Sequence, residues 1–136
     1  MPDVLSAARS YVDAALCMLI WLVQVVVYPA FRVVEEARFT NWHRAYMRTI
    51  SIIVIPLMVA QAGLVLHQLL SRPNLQDALT MVAILCAWIA TFAFSVPCHN
   101  QLQANGTDAP TISRLIRTNW IRTAAWTAVL ILGLAK

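Results

Sequence analysis

Charge is sparse in this chain: six acidic and ten basic residues among 136, or 12%, stand against 60% hydrophobic residues and a mean hydropathy of +0.69. So little charged surface cannot coat a soluble domain of this size, which excludes the water-soluble classes and marks an integral membrane protein. Sustained alternation of polar and apolar residues is also missing, so a transmembrane barrel, which needs at least about 8 strands, is excluded. The three cysteines, Cys17, Cys86 and Cys98, form no CxxC motif and no disulfide framework, and buried inert thiols are their simplest reading. No linker or low-complexity tract divides the chain, so residues 1–136 read as a single domain. The arginines flank apolar segments without forming a basic stripe among exposed aromatics, which excludes nucleic acid as a partner and leaves membrane lipids with anionic headgroups.

What the chain does have is four apolar windows, Ala14 to Phe31, Ile50 to Leu70, Ala78 to Val96 and Asn119 to Ala135. Each approaches the roughly 17 to 25 residues that a helix needs to cross about 30 Å of hydrocarbon. The prediction is an all-α fold, an integral membrane four-helix bundle. The first window is kept as a span and not a secretory signal, because only Arg9 precedes it, Asp13 borders it, Gln24 interrupts it and no small-x-small cleavage site follows. Arg32, Arg38, Arg44 and Arg48 follow the first span, and Arg114, Arg117 and Arg122 follow the third. The other ends hold only Arg9, Arg72 and Lys136. This asymmetry predicts a plasma (inner) membrane protein with connections 32–48 and 98–118 cytoplasmic and both termini outside.

Thr40-Asn41-Trp42-His43-Arg44 returns as Thr118-Asn119-Trp120-Ile121-Arg122, each time before an apolar segment. Val27-Tyr28-Pro29 and Ser95-Val96-Pro97 close the preceding spans. Two duplicated helical hairpins, related by a pseudo-twofold axis along the bilayer normal, explain both repeats. The alternative is coincidence, since four of five positions match. The second helix is expected to begin near Thr40, and Thr111 to cap a short surface helix leading into the fourth span.

Helical spacing gathers polar residues onto one stripe per span: Asp13, Cys17, Trp21, Gln24 and Tyr28; then His43, Tyr46 and Gln61; then Trp88, Thr91, Ser95 and His99; then Asn119, Arg122 and Trp126. Polar groups in hydrocarbon must pair with one another or line a cavity. Tyr28, His43, Tyr46, Ser95, His99, Asn100, Asn119 and Arg122 all belong to the cytoplasmic ends of their helices, so a pocket is expected there. Its catalytic candidates are His43, Tyr46, His99 and Arg122. Its binding candidates are Gln24, Tyr28, Trp42, Asn100, Asn119, Trp120 and Trp126.

Arg122 lies about 21 Å of helix before the C-terminus, which puts its guanidinium some 9 Å inside a 30 Å core. Such a group needs a partner, Glu35, Glu36 or a ligand anion, unless it snorkels to the headgroups. His43 and His99 together offer two imidazoles to a transition metal or haem, with Cys98 or Tyr46 beside them, although no HxxxH or CxxC spacing accompanies them. Hydrogen bonding to a substrate oxygen, or acid-base work near neutral pH, needs only one of them. His67, next to Gln68 near the opposite face, reads as an interfacial residue.

Val96-Pro97-Cys98-His99-Asn100-Gln101-Leu102, followed by Arg114-Leu115-Ile116-Arg117-Thr118-Asn119-Trp120-Ile121-Arg122, resembles the anthrone oxygenase-like family of small four-helix membrane proteins. The resemblance covers the C-terminal third well and the first two helices in topology only. It implies Asn100, Asn119 and Arg122 as site positions and the oxidation of tricyclic aromatics as an activity. The expectation that follows is a membrane oxidoreductase for a lipophilic aromatic or quinone-like molecule. Trp42, Tyr46, Trp120 and Trp126 would hold the ring, and Arg122, Asn119 and His99 would polarise its oxygens. The alternative is a non-catalytic role, as a small subunit of a larger membrane complex or a carrier of a lipid or small solute. A homo-oligomer is also a natural state for so small a chain.

Overall fold

A computed structural model describes residues 4–135 and contains four helices and, among the described residues, no strand. They are α1 (Val4–Ala30), α2 (Glu36–Ser71), α3 (Leu75–Asn105) and α4 (Ala109–Leu134). The first three are long and apolar enough to cross a membrane. The expected fourth span is not among them, because Arg117, Asn119 and Arg122 lower the hydropathy of α4. Two of those three, Asn119 and Arg122, are buried, while its outer surface carries Trp120, Ile121, Ala124, Ile131 and Leu134.

The same inversion runs through the whole chain. Arg9, Asp13, Gln24, His43, Gln61, Asp77, His99, Asn119 and Arg122 are buried, and Met18, Val26, Ile52, Val59, Leu85 and Phe92 are exposed. Apolar outside and polar inside is the arrangement that hydrocarbon solvent demands, because polar groups facing lipid would have no partners. The helices pack in cyclic order, α1 to α2 to α3 to α4 and back to α1, with the two diagonal pairs apart. Diagonal separation leaves room for an interior polar axis.

Local chemistry sets the ends. Asn74 accepts the backbone N–H of Asp77 at 2.8 Å and starts α3, and Asp108 accepts that of Thr111 at 3.1 Å and starts α4. Asp108 thus takes the capping role expected of Thr111. No separate surface helix forms, because α3 continues through Pro97 to Asn105 and only 106–108 separate it from α4. Gly106 makes that turn with φ +77°, a conformation that L side chains avoid. Helix α2 begins at Glu36, a turn before the expected Thr40. Glu36 suits the positive end of the helix dipole, and Phe39 extends the inward stripe to meet Phe31 at 6.0 Å.

Pro29 and Pro97 are each preceded by a π-helical segment, Val23–Val27 in α1 and Thr91–Ser95 in α3. Proline lacks an N–H and crowds the carbonyl four residues back. The ladder widens to relieve this: the N–H of Tyr28 bonds the Val23 carbonyl and that of Val96 bonds the Thr91 carbonyl. The widened turns carry Gln24 and Ser95 inward.

Candidate functional site

Arg122 is only 7% exposed. Its Nη1 carries all its hydrogen bonds, donating to the Tyr28 hydroxyl at 3.3 Å, Ser95 Oγ at 3.0 Å and Asn119 Oδ1 at 3.1 Å. The Trp126 ring lies against it, 5.3 Å from guanidinium carbon to centroid. All these partners are neutral, and the buried Nε has no partner among the described residues. The partners proposed from sequence are elsewhere: Glu35 pairs with Arg38 at 3.1 Å on the surface, and Glu36 is exposed. Snorkelling is likewise ruled out by the burial.

Arg122 lines a cavity of about 330 Å³ together with Tyr28, Tyr46, Trp88, Ser95, His99 and Trp126, while Leu16, Ile20, Val54 and Met58 supply apolar walls. Trp88 Nε1 is a second buried donor without a partner among the described residues. The rim reaches the outer surface between α2 and α3, where the exposed Ile55, Val59 and Phe92 belong to the lining. The residues exposed around that opening are apolar, and α2 and α3 are both long and apolar enough to cross a membrane.

A continuous hydrogen-bonded line leaves the cavity toward the 31–35 and 106–108 connections. The Tyr28 hydroxyl is 3.1 Å from His99 Nε2, His99 Nδ1 is 3.0 Å from His43 Nε2, and His43 Nδ1 is 3.0 Å from Gln103 Oε1. Aromatic rings hold the imidazoles in place: Phe39 stacks on His43 at 5.5 Å, and Phe31 meets both His43 and Tyr46 edge-on. Phe31, Phe39 and Gln103 were not among the sequence candidates. Their only advance signal was the stripe register, which continues from Phe39 to His43 and from His99 to Gln103.

The sequence candidates divide three ways. Tyr28, Tyr46, His99, Arg122 and Trp126 line the cavity. His43, Gln24 and Asn119 stand behind it as hydrogen-bond partners: Asn119 donates to Gln24 Oε1 at 2.8 Å, and Gln24 donates to the Ile116 carbonyl at 3.1 Å. Asn100, Trp120 and Trp42 are outside. Asn100 is exposed on α3, and Trp120 is 48% exposed and packs edge-on to Trp21 at 5.7 Å. Trp42 stacks on the outer side of Tyr46 at 5.8 Å. Each lies one residue from an inward neighbour and is turned about 100° away from it. The repeat mate of Arg122, Arg44, is exposed too, so the two copies of the motif have different environments.

His43 and His99 do not suit a metal or haem. The two rings are hydrogen-bonded nitrogen to nitrogen, their other nitrogens are engaged by Gln103 and Tyr28, and no group of three His, Cys, Asp or Glu side chains converges among the described residues. Cys98 is buried but makes no such group.

A second polar centre lies at the other end, where the sequence placed Asp13 and Gln61 on inward stripes but left Arg9 and Asp77 out. Arg9 is 3% exposed and lies between Asp77, at 2.5 Å from Nη1, and Asp13, at 3.4 Å from Nε; it also donates to Gln68 and Thr80. Gln61 donates to Asp13 at 2.7 Å and accepts the Trp126 indole N–H at 2.9 Å. All four helices meet in this cluster. The signal was present in the Arg9 to Asp13 spacing of one helical turn and in the few acids of the chain falling beside apolar windows.

A Cβ built on Gly133 would come within 3.1 Å of Asp13 Oδ2, and Asp13 is fixed by Arg9 and Gln61. Gly133→Ala is therefore expected to lower stability by about 1 kcal/mol, as overpacking does, read as a lower melting temperature in detergent. An unchanged or raised melting temperature would mean that Asp13 is free to move.

No family model, curated protein or solved structure matches the chain.

Proposed function

We propose that the protein is a four-span membrane bundle that admits a lipophilic aromatic or quinone-like molecule from the bilayer, binds its oxygen at Arg122 and acts on it as an oxidoreductase. The observation that carries this reading is the buried guanidinium in the wall of an apolar cavity, its Nε without a partner among the described residues. A buried cation surrounded by neutral partners is costly unless something negative completes it. A carbonyl or phenolic oxygen at the cavity wall would complete the guanidinium, and the walls of Tyr46, Trp88 and Trp126 fit a flat ring. The resemblance to anthrone oxygenase-like proteins points to the same substrate chemistry, through Asn119 and Arg122.

The reading extends to topology. The apolar outer face of α4 suits it to be the fourth span. The π-helical segments each begin six residues before their proline, Val23 before Pro29 and Thr91 before Pro97, which supports a duplicated hairpin. Arg32, Arg38, Arg44, Arg48, Arg114 and Arg117 are exposed at the end where the helices connect at 31–35 and 106–108, whereas Arg9 is withdrawn from the count at the other end by burial. This supports a cytoplasmic location for those connections in the plasma membrane.

Ser51 lines the cavity from α2 and makes no hydrogen bond across the bundle among the described residues. Ser51→Phe is expected to abolish binding of 1,4-naphthoquinone to the purified protein, measured by tryptophan quenching, while leaving the melting temperature within a few degrees of wild type. Unchanged binding would remove the cavity from the account.

A further inference from the structure

The line from Tyr28 to Gln103 has a direction. Gln103 Nε2 donates to the Thr40 carbonyl at 3.3 Å, which turns Oε1 toward His43. An amide oxygen only accepts, so His43 Nδ1 carries the hydrogen and its Nε2 is an acceptor. His99 must then donate from Nδ1, leaving its Nε2 to accept the Tyr28 hydroxyl hydrogen. The Tyr28 oxygen in turn accepts from Arg122. The network thus assigns both tautomers. Every hydrogen in it points away from the cavity and toward the half-buried Gln103.

Full hydrogen bonding of buried groups explains why such a line exists. It does not explain why the line begins at a cavity wall and ends at the surface, through two side chains that both accept and donate. Two neutral imidazoles in series with a phenol are also an uncommon way to satisfy one another inside hydrocarbon, where apolar side chains would pack more simply.

We propose that Tyr28, His99, His43 and Gln103 form a proton exit path, and that the bound molecule is a weak lipophilic acid, a phenol or enol, held as its anion on Arg122. This rests on the reading of the cavity as the ligand site. The ligand O–H bond breaks and its electron pair stays on the oxygen, beside the guanidinium. The proton joins the Tyr28 oxygen as the Tyr28 proton passes to His99 Nε2. The His99 Nδ1 proton passes to His43 Nε2, and the His43 Nδ1 proton leaves to water at the position of Gln103. One proton enters the line and one leaves it, and no electron is transferred. Both imidazoles finish in the opposite tautomer, which Gln103 satisfies by turning its amide so that Nε2 donates to His43 Nδ1. An amide at the half-buried edge of the protein has the freedom to make that turn. The path runs to one side only, since beyond Arg122 the polar chain continues through the Trp126 indole, which does not relay protons.

The test uses the whole protein in phosphatidylcholine nanodiscs and an alkyl nitrophenol, whose anion absorbs at longer wavelength than its neutral form, at a pH where the free probe is neutral. Wild type is expected to bind the probe as the phenolate and to release one proton per probe, seen by a pH indicator in weak buffer. Gln103→Leu and His43→Phe are expected to take up the probe but to release the proton about 100-fold more slowly in stopped flow. Should His43→Phe not fold, Gln103→Leu at the edge of the structure still decides the matter. Proton release at the wild-type rate in Gln103→Leu, or a probe that stays neutral when bound to wild type, overturns the exit path and leaves the cavity as a binding site. Failure of wild type to bind the probe or 1,4-naphthoquinone overturns the cavity reading itself.

Discussion

Arg9→Met is expected to destabilise the protein more than any other single substitution in the chain, by about 3–5 kcal/mol, the cost of breaking a buried ion cluster by removing one member. The guanidinium lies between Asp77 and Asp13, which are 2% and 1% exposed, and its donors reach residues of α1, α2 and α3. Through Asp13, Gln61 and Trp126 the cluster extends to α4. Removal of Arg9 leaves two carboxylates near each other in a low-dielectric interior with no guanidinium between them. Folded yield and melting temperature in detergent are the readouts. Replacing Arg9, Asp13 and Asp77 together by apolar residues of similar size is expected to recover most of the loss, because the desolvation cost disappears with the charges. A single variant with wild-type stability would show that the cluster is solvated in the folded protein.

Arg122→Met is expected to have the opposite profile. Ligand affinity should fall by about 100-fold, the scale of a lost charge-assisted hydrogen bond, while the empty protein keeps or gains stability. The reasoning turns on the contrast with Arg9. Both arginines are buried, but Arg9 is matched by carboxylates and Arg122 only by Tyr28, Ser95 and Asn119. A charge whose desolvation is not repaid inside the fold is a stability cost. Asn119 and Tyr28 have other partners, Gln24 and His99, that remain when Arg122 is replaced. Arg122→Lys should not restore binding, since an ammonium cannot present a planar edge. Melting curves and naphthoquinone titrations on the same preparations check both halves of the expectation. A variant that loses stability and keeps binding would reverse the roles assigned to the two arginines.

Much of the interior was legible because lipid leaves a polar side chain few places to go. Spacing by three and four put Asp13, Gln24 and Tyr28 on one stripe, Ser95 and His99 on another and Asn119, Arg122 and Trp126 on a third, and all of these are buried. Residues chosen for their side-chain type or through the resemblance fared worse, and so did one member of a stripe. Asn100 and Trp120 share a level with His99 and Asn119 but face outward, and Trp21 left its stripe to pack against Trp120. The Arg9 to Asp77 pair was invisible because its members are 68 residues apart and each resembles ordinary charge at a helix end. The window Asn119 to Ala135 was read as a fourth span, but α4 is not among the three helices long and apolar enough to cross a membrane, because its average includes the inward-facing Asn119 and Arg122. The π-helical segments were foreshadowed only by their prolines, and their length follows from ladder geometry that sequence spacing does not record.

An experimental density map of the protein purified from its own membrane tests the central claim most directly. The account predicts density for a planar molecule among Tyr46, Trp88 and Trp126, with an oxygen within hydrogen-bond distance of Arg122 Nε and the apolar part directed toward the opening between α2 and α3. A tightly filled, empty-handed centre in which Arg122 Nε bonds a carboxylate of the chain itself would contradict it.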